Sequence, residues 1–322
     1  MNQFQEKPTI AATQSKDVLV FFSFKSHKTG YYNTLFNPLK DVESEYGLTL
    51  HQGSLKDLYI EVIENTLYVT ESMTGRRLDD FDFVRFELWL KSPQQALAAA
   101  TYLDRNNIPF TGHEALNVLC TTKIGELVRM SDGSVPLPRT FMSSYAGTLE
   151  RFKSSDIPFN YPFIAKAADA FGGKMNYLVH SYEELKAALS EHKDQFFVLQ
   201  EFIPNTFDYR VLIMDNAIQF VLKRSRSDTK SHLNNTSAGA EGVFVPIDEL
   251  TPEMQKDALR AAELTLRSDF AGVDIIVNSE TGAHAILEVN EAPAIQTGEN
   301  PPLKIKALMT HIQEMVNKKG NM

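Results

Sequence analysis

Two strand-like segments late in the chain hold the residues best suited to chemistry: Gly272-Val-Asp-Ile-Ile-Val-Asn278 and Ala285-Ile-Leu-Glu-Val-Asn290. Side chains alternate along a strand, so Glu288 and Asn290 share one face. Asp274 stands on the partner segment among Val273, Ile275, Ile276 and Val277. A carboxylate there is costly to bury unless it is paired or bound to a cation. Two carboxylates and an amide oxygen form a hard, all-oxygen set of the kind magnesium takes while keeping water and phosphate oxygens. The same pattern also describes the solvated face of an edge hairpin, and spacing alone leaves both readings open.

A second group is basic. Lys166 ends the apolar run Tyr161-Pro-Phe-Ile-Ala-Lys166, just before Ala170-Phe-Gly-Gly-Lys174. A glycine pair lets backbone approach a phosphate closely and a lysine adds a point charge, although Gly-Gly between strands also serves as a plain turn. Lys223-Arg-Ser-Arg226 leads into the polar segment His232-Leu-Asn-Asn-Thr-Ser-Ala-Gly239. In an acidic chain this is either a local anion site or a solvated loop. Gln200-Glu-Phe-Ile-Pro204 is a strand stopped by proline.

These residues need elements to carry them. Residues 1–16 read as a mobile tail. Val18–Phe24, Leu58–Ile63, Thr66–Thr70 and Phe81–Phe86 read as strands, the second and third half-buried by their alternation. Ser92-Pro93 opens a helix to Asn106. Strands alternating with helices over residues 17–115 predict an α/β domain with a mainly parallel sheet. Beyond it, Ser181-x-x-Glu184 is a capping box for a helix to about His192. Phe196–Ile203 is a buried strand, Tyr209–Met214 and Ala217–Lys223 form a hairpin about Asp215-Asn216, and Thr251-Pro252 starts a helix to about Ser268. The second half is therefore α+β, divided into residues 116–199 and 200–322.

Taken in order along one chain, Lys123, Lys166, the glycine pair, Gln200-Glu-Phe-Ile203, Asp208-Tyr-Arg210, Lys223-Arg224, Asn234-Asn235, and Asp274 with Glu288 and Asn290 resemble the ATP-grasp superfamily. The similarity is greatest to the branch of ribosomal-protein glutamate ligases and related peptide-modifying ligases, over about residues 112–300. The resemblance implies an ATP-grasp fold behind an N-terminal α/β pre-ATP-grasp domain. It implies that Lys123 and Lys166 contact the ATP phosphates beneath a glycine loop at Gly172 and Gly173. Gln200, Glu201, Phe202 and Ile203 would line the adenine site, mostly through backbone groups, and Asp208 would hold the ribose. Arg210 and Arg224 would stabilise the transferred phosphoryl group, Asn234 or Asn235 would sit near it, and Asp274, Glu288 and Asn290 would ligate two magnesium ions, or manganese. Arg85 and Arg226 are the candidate substrate contacts; Arg85, ending a strand beside Glu87, also reads as a surface salt-bridge partner. The chain departs from the family pattern in two places. Glu291-Ala-Pro293-Ala294 stands where a Pro-Gly turn often follows the asparagine, and Thr236 and Ser237 replace a basic residue, which bears on the acceptor substrate.

Composition narrows the field. The 322 residues include 41 acidic against 32 Lys and Arg, a formal charge of −9, which argues against nucleic acid as main partner. No apolar run approaches the ~20 residues of a membrane span, and the polar Met1–Lys16 lacks an apolar h-region, so a signal peptide is not expected. The single Cys120 forms no intramolecular disulfide and reads as a small buried hydrophobe, so a reducing cytoplasmic setting is expected. Small-molecule or peptide substrates and a homo-oligomer are the expected partners. Three activities fit: an ATP-dependent carboxylate–amine ligase working through an acyl-phosphate, an ATP-grasp kinase, or a nucleotide-binding scaffold without turnover. A shared metal requires Asp274 to oppose Glu288 across the hairpin. Ser279 must then oppose Ala283, leaving Glu280-Thr281-Gly282 as a three-residue loop. A two-residue Thr281-Gly282 turn places Asp274 opposite Val289 instead, and parts the carboxylates unless a bulge restores the face.

Overall fold

The computed structural model describes residues 15–24, 30–153, 157–168, 175–225 and 241–319. Four sheets organise them. The first is parallel, in the order β2 (Leu48–Ser54), β1 (Lys16–Phe22), β6 (Phe83–Phe86), β7 (Phe110–Thr111). One face packs on α2 (Pro93–Arg105) through Leu19, Phe21, Val84, Ala96 and Leu103. The other meets α1 (Gly30–Lys40) and the last helix, α7 (Pro301–Lys319), through Val18, Val20, Leu39, Leu308 and Ile312. Sequence periodicity assigns neither α1 nor α7. Pro38 interrupts the first, and the second is apolar only along a stripe buried by remote partners.

An antiparallel ribbon of β3 (Leu58–Ile63), β4 (Thr66–Glu71) and β5 (Arg76–Arg77) leaves this domain. Its first strand departs from the half-buried expectation. Past Leu58 every residue of β3 is exposed, because among the described residues no layer covers either of its faces. Ser92 precedes α2 as expected, but its hydroxyl makes no capping bond.

The third sheet has the order β10 (Asn176–Val179), β9 (Phe163–Ala167), β11 (Phe196–Glu201), β8 (Thr140–Ser144) and is antiparallel. Phe163, Ala165, Phe197 and Leu199 face α4 (Tyr145–Lys153) and α5 (Tyr182–Leu189). The expected capping box forms only in part at α5: Ser181 Oγ accepts from the Glu184 amide at 3.2 Å, while the Glu184 carboxylate accepts from the amide of His180, one residue before the N-cap, at 2.9 Å. Lys166 lies directly opposite Val198, so it shares the other face of this sheet.

The fourth sheet is antiparallel, in the order β14 (Glu241–Val245), β13 (Ala217–Ser225), β12 (Phe207–Met214), β15 (Phe270–Val277), β16 (His284–Asn290). Tyr209, Val211, Val273, Ile275, Ile286 and Val289 form a core with α6 (Pro252–Leu264) and α3 (Lys123–Asp132). The β12–β13 turn is the predicted Asp215-Asn216, both at positive φ.

The last hairpin has the predicted pairing and a different turn. Asp274 opposes Glu288, yet Ile275 opposes Ile286, with a bulge at Leu287 between them. Asn278 N donates to Ala283 O, and the loop is four residues, Ser279–Gly282, rather than three. Packing explains the difference. Ile286 and Val289 both belong to the α6 core, and an unbulged strand sends residues three apart to opposite faces. The bulge satisfies the core and still delivers Glu288 to the other side.

Two predictions come from this architecture. Gly272 opposes Asn290, and a Cβ built on it falls 2.5 Å from Pro293 Cβ. Gly272→Ala should therefore cost roughly 1–3 kcal/mol, read as a lowered denaturant midpoint, because the proline ring must move. The second concerns His113, whose ring stacks on Phe110 and lies 3.0 Å from Asp269. Burial pushes its pKa down, but the Asp269 carboxylate outweighs this and holds it above the usual 6.5. Its stabilising contribution is full below pH 6.5 and fades as pH rises through the elevated value. The melting-temperature difference between wild type and His113→Asn should thus be present at pH 6 and shrink in alkali. It should correspond to about 1 kcal/mol or less, since the ring is half-exposed.

Candidate functional site

The face of the fourth sheet away from α6 carries polar side chains from β12, β13, β15 and β16. Arg210, Asp274 and Glu288 are directly opposed across β12, β15 and β16, and Asp208 opposes Arg224 across β12 and β13. Arg210 grips Asp274 with both arms of its fork, Nε to Oδ1 at 2.8 Å and Nη2 to Oδ2 at 2.7 Å. Arg224 grips Asp208 in the same way, at 2.7 and 2.9 Å, and its Nη2 also reaches Asp274 Oδ2 at 3.2 Å. Asn290 Nδ2 adds a 3.4 Å contact to Asp274 Oδ2 and another to Gly272 O.

Asp274, Asp208 and Arg224 are buried, whereas Arg210 keeps part of its side chain in solvent. Two carboxylates and two guanidiniums make the group neutral, and each pair is bidentate, which is the geometry that repays desolvation of charge. Burial acts to raise the pKa of both acids. At Asp274 two guanidiniums outweigh it and hold the carboxyl down to about 2. Asp208 shares Arg224 with its neighbour, and there burial prevails and pushes it up to about 6.

Lysines arrive from the other side. Lys166 is half-buried on the face of the third sheet that meets the core of the fourth. Burial pushes its ammonium pKa down, Glu288 pulls it back, and Lys123, Glu126 and Asp274 also lie within electrostatic reach. Lys123, the first residue of α3, donates to Ala168 O at 3.3 Å. Among the described residues no hydrogen bond closes on the Glu288 carboxylate or on Lys166 Nζ.

This donor set bears on metal binding. Among the described residues no three His, Cys, Asp or Glu side chains gather as a protein cage. Magnesium does not need one, since it is often held by one or two carboxylates with substrate phosphates completing the shell. Among the described residues the Glu288 carboxylate accepts no hydrogen bond, Asp274 faces it, and the ammonium groups of Lys166 and Lys123 lie nearby. The residues fit a magnesium nucleotide, with the Arg210 guanidinium covering Asp274 in the free chain.

The remaining sequence candidates divide. Gln200 is buried, with Nε2 donating to Thr140 Oγ1 at 3.2 Å. The Glu201 side chain is held by Arg139, whose amide and Nε donate at 2.8 and 2.7 Å. Phe202 and Ile203 follow the end of β11, and among the described residues their backbone groups carry no hydrogen bond outside the sheet ladders. Asp208 is placed in the site, but both its oxygens are engaged by Arg224, so it acts there as the anchor of that arginine. Arg85 is fully buried rather than a surface ion-pair partner; it donates to Glu87 at 2.9 and 2.6 Å and lies over the Phe270 ring at 4.0 Å. As placed it offers a substrate no surface and joins the first sheet to β15. Gly172, Gly173, Arg226, Asn234 and Asn235 lie outside the described residues, as does the Cys120 side chain.

Sequence reasoning missed a buried ionic group beneath the site. Arg267 Nη1 donates to Glu126 Oε1 at 2.5 Å and to Val289 O at 2.6 Å, and Glu114 lies 3.9 Å from its Nε. One signal was available: Glu126 falls four residues before Met130 on the apolar stripe of α3, where a charge demands a partner.

Comparison with known proteins bears on this geometry. The RimK-like ATP-grasp domain is matched over residues 115–312. Among curated proteins, inositol-tetrakisphosphate 1-kinase of Danio rerio is 25% identical over 194 residues, which are 52% of this chain and 46% of that protein, so the chain spans about half its length. Among solved structures, the ATP-grasp ligase PsnB complexed with a minimal precursor is similar at TM-score 0.62 and 15% identity, covering 93% of this chain and 100% of that one. A RiPP-associated ATP-grasp ligase of Chryseobacterium gregarium, in complex with ADP and a leader and core peptide, gives 0.65 and 11%, covering 94% and 97%. D-alanine–D-alanine ligase of Bacillus anthracis complexed with ATP gives 0.65 and 15%, again covering 94% and 97%. These likenesses show the fold, and the domain match covers more than half of the chain. Its residues 115–312, which carry the carboxylate pair and the lysines that face it, make the chain a member of the RimK-like ATP-grasp domain family.

Proposed function

We propose that the chain is an ATP-dependent carboxylate–amine ligase, releasing ADP, that acts on an amino acid, a peptide or a protein side chain. The observation that carries this reading is the meeting of Asp274 and Glu288, opposed on adjacent strands, with Lys166 and Lys123 from separate elements. A carboxylate is a poor acylating agent because its oxygen leaves badly. Transfer of the ATP γ-phosphoryl group to it makes an acyl-phosphate, and attack by an amine then expels phosphate. Such transfer depends mostly on positioning and charge neutralisation.

Each residue has a role in this scheme. Lys166 and Lys123 meet the phosphates of ATP. The unspent backbone groups of Phe202 and Ile203 face the adenine edge, with Gln200 and Glu201 shaping the strand before them. Asp274, Glu288 and Asn290 hold magnesium, which when bound draws charge from the phosphate oxygens. Arg210, the more exposed of the two arginines, releases Asp274 and turns to the transferred phosphoryl group. Arg224, buried and tied to Asp208, keeps Asp274 in place. Gly172, Gly173, Asn234, Asn235 and Arg226 retain the roles that the family resemblance implies for them. One solved neighbour is complexed with a leader and core peptide and another with a minimal precursor, which favours a peptide acceptor. The kinase relative supports a second reading, phosphorylation of the acceptor without amide formation.

ADP release, screened over amino-acid pairs and peptides with mass spectrometry of the product, tests the proposal. Release that requires both a carboxylate and an amine, with loss of water from their joined mass, supports the ligase. Release without an amine, with a phosphorylated acceptor, supports the kinase. Nucleotide binding with no release for any pair leaves only a scaffold. For Arg210→Lys we expect kcat to fall by roughly 10²–10³ with a smaller change in the KM for ATP, because a point charge does not reproduce the fork. A lysine variant with normal kcat removes Arg210 from the transfer step.

A further inference from the structure

Strand β16 carries Glu288 and Asn290, and it is the edge strand of its sheet. Among the described residues only β15 pairs with it, and the pairing is broken by the bulge at Leu287. A bulged edge strand is a poor platform for metal ligands, since its outer backbone groups have no neighbouring strand and its local twist is under-determined. Two contacts from outside the sheet correct this. Ile286 N donates to Pro136 O at 2.8 Å, and Val289 O accepts from Arg267 Nη1 at 2.6 Å. They fall on either side of Glu288. The second contacts the peptide carbonyl that lies between the two proposed metal-binding residues.

Arg267 is itself firmly placed. It follows α6 in a helix-terminating turn, where Arg267 N donates to Ala262 O and Leu266 N to Glu263 O, with Leu266 at a left-handed φ of 61°. A non-glycine residue in that region is strained, so the surrounding packing holds this turn in shape. The Arg267 side chain is 1% exposed, and the same Nη1 that reaches Val289 O also binds Glu126 Oε1 at 2.5 Å. Glu126 lies one turn along α3 from Lys123. One guanidinium therefore spans the strand of the metal ligands and the helix whose first residue faces the phosphates.

We propose that Arg267 is a positioning residue for the metal site. It fixes the β16 backbone between Glu288 and Asn290 and sets that strand's distance from the Lys123 helix. This rests on the ligase reading for the identity of the metal site, and it assigns to Arg267 no contact with ATP, metal or acceptor.

The test is calorimetric binding of a non-hydrolysable ATP analogue to the full chain, with magnesium varied, for wild type, Arg267→Lys, Arg267→Met, and Arg267→Met combined with Glu126→Leu. The single methionine change strands the buried Glu126 carboxylate and threatens folding, so the paired change, which removes both charges, is the decisive arm. In that folded protein we expect the magnesium half-saturation point to rise by roughly 10–100-fold while magnesium-free affinity for the analogue is unchanged. Arg267→Lys should recover part of the loss, because an ammonium reaches one of the two acceptors. A general structural role predicts a lower melting temperature and parallel losses with and without magnesium. Such parallel losses, or a folded paired variant with wild-type magnesium dependence, overturn the proposal. Should wild type show no magnesium-dependent binding of the analogue, the ligase reading fails and takes this inference with it; the wild-type arm tells the two failures apart.

Discussion

A carboxylate buried in the middle of a β-sheet is the constraint around which the C-terminal half is arranged. Asp274 stands on a central strand with nearly all its surface removed from water. It stays ionised because Arg210 and Arg224 come to it from β12 and β13. Those arginines depend in turn on strand register. Arg210 must oppose Asp274 and Arg224 must oppose Asp208, and a one-residue slip of either strand turns the charges into the α6 core. The polar face thus specifies pairing as strongly as the apolar face does.

The two faces make conflicting demands on β16. Its inner face must supply Ile286 and Val289 to the core, and its outer face must supply Glu288 and Asn290 to the site. Strict alternation cannot meet both demands over this stretch. The bulge at Leu287 resolves the conflict at the cost of an irregular edge strand, and Pro136 and Arg267 bond that strand's backbone from outside the sheet. A local departure from regular structure and a buried ionic group several elements away are in this sense one device.

The N-terminal sheet enters the same economy through α7. This helix packs Leu308, Met309 and Ile312 against the parallel strands and also touches Leu212, Met214 and Phe270 at the end of the fourth sheet. Arg85 and Glu87, buried at the end of β6 and against Phe270, extend that joint with charge. A charged pair placed there needs fixed geometry on both sides, which agrees with a close-packed seam between the first and fourth sheets.

Much of the site was legible in the residues themselves. Alternation placed Glu288 and Asn290 together, acidic residues among β-branched neighbours marked Asp274 as paired or ligated, and the order of motifs pointed to the family. The hairpin at Asp215-Asn216 and the N-cap at Ser181 were equally local and equally clear. The tertiary structure decided what local pattern cannot encode. The bulge arises because a remote helix requires Ile286, Arg267 meets Glu126 across 141 positions of sequence, and Arg85 is interior because Phe270 and α7 close over it. Helix α7 lacked a strong signal for the same reason, since its apolar stripe acquires meaning only against α1 and the sheet, whereas Pro38 hid α1. Short-range order follows from backbone preference and periodicity, which a single segment carries whole. Burial of charge is a property of everything that surrounds a residue, and only the folded chain supplies that.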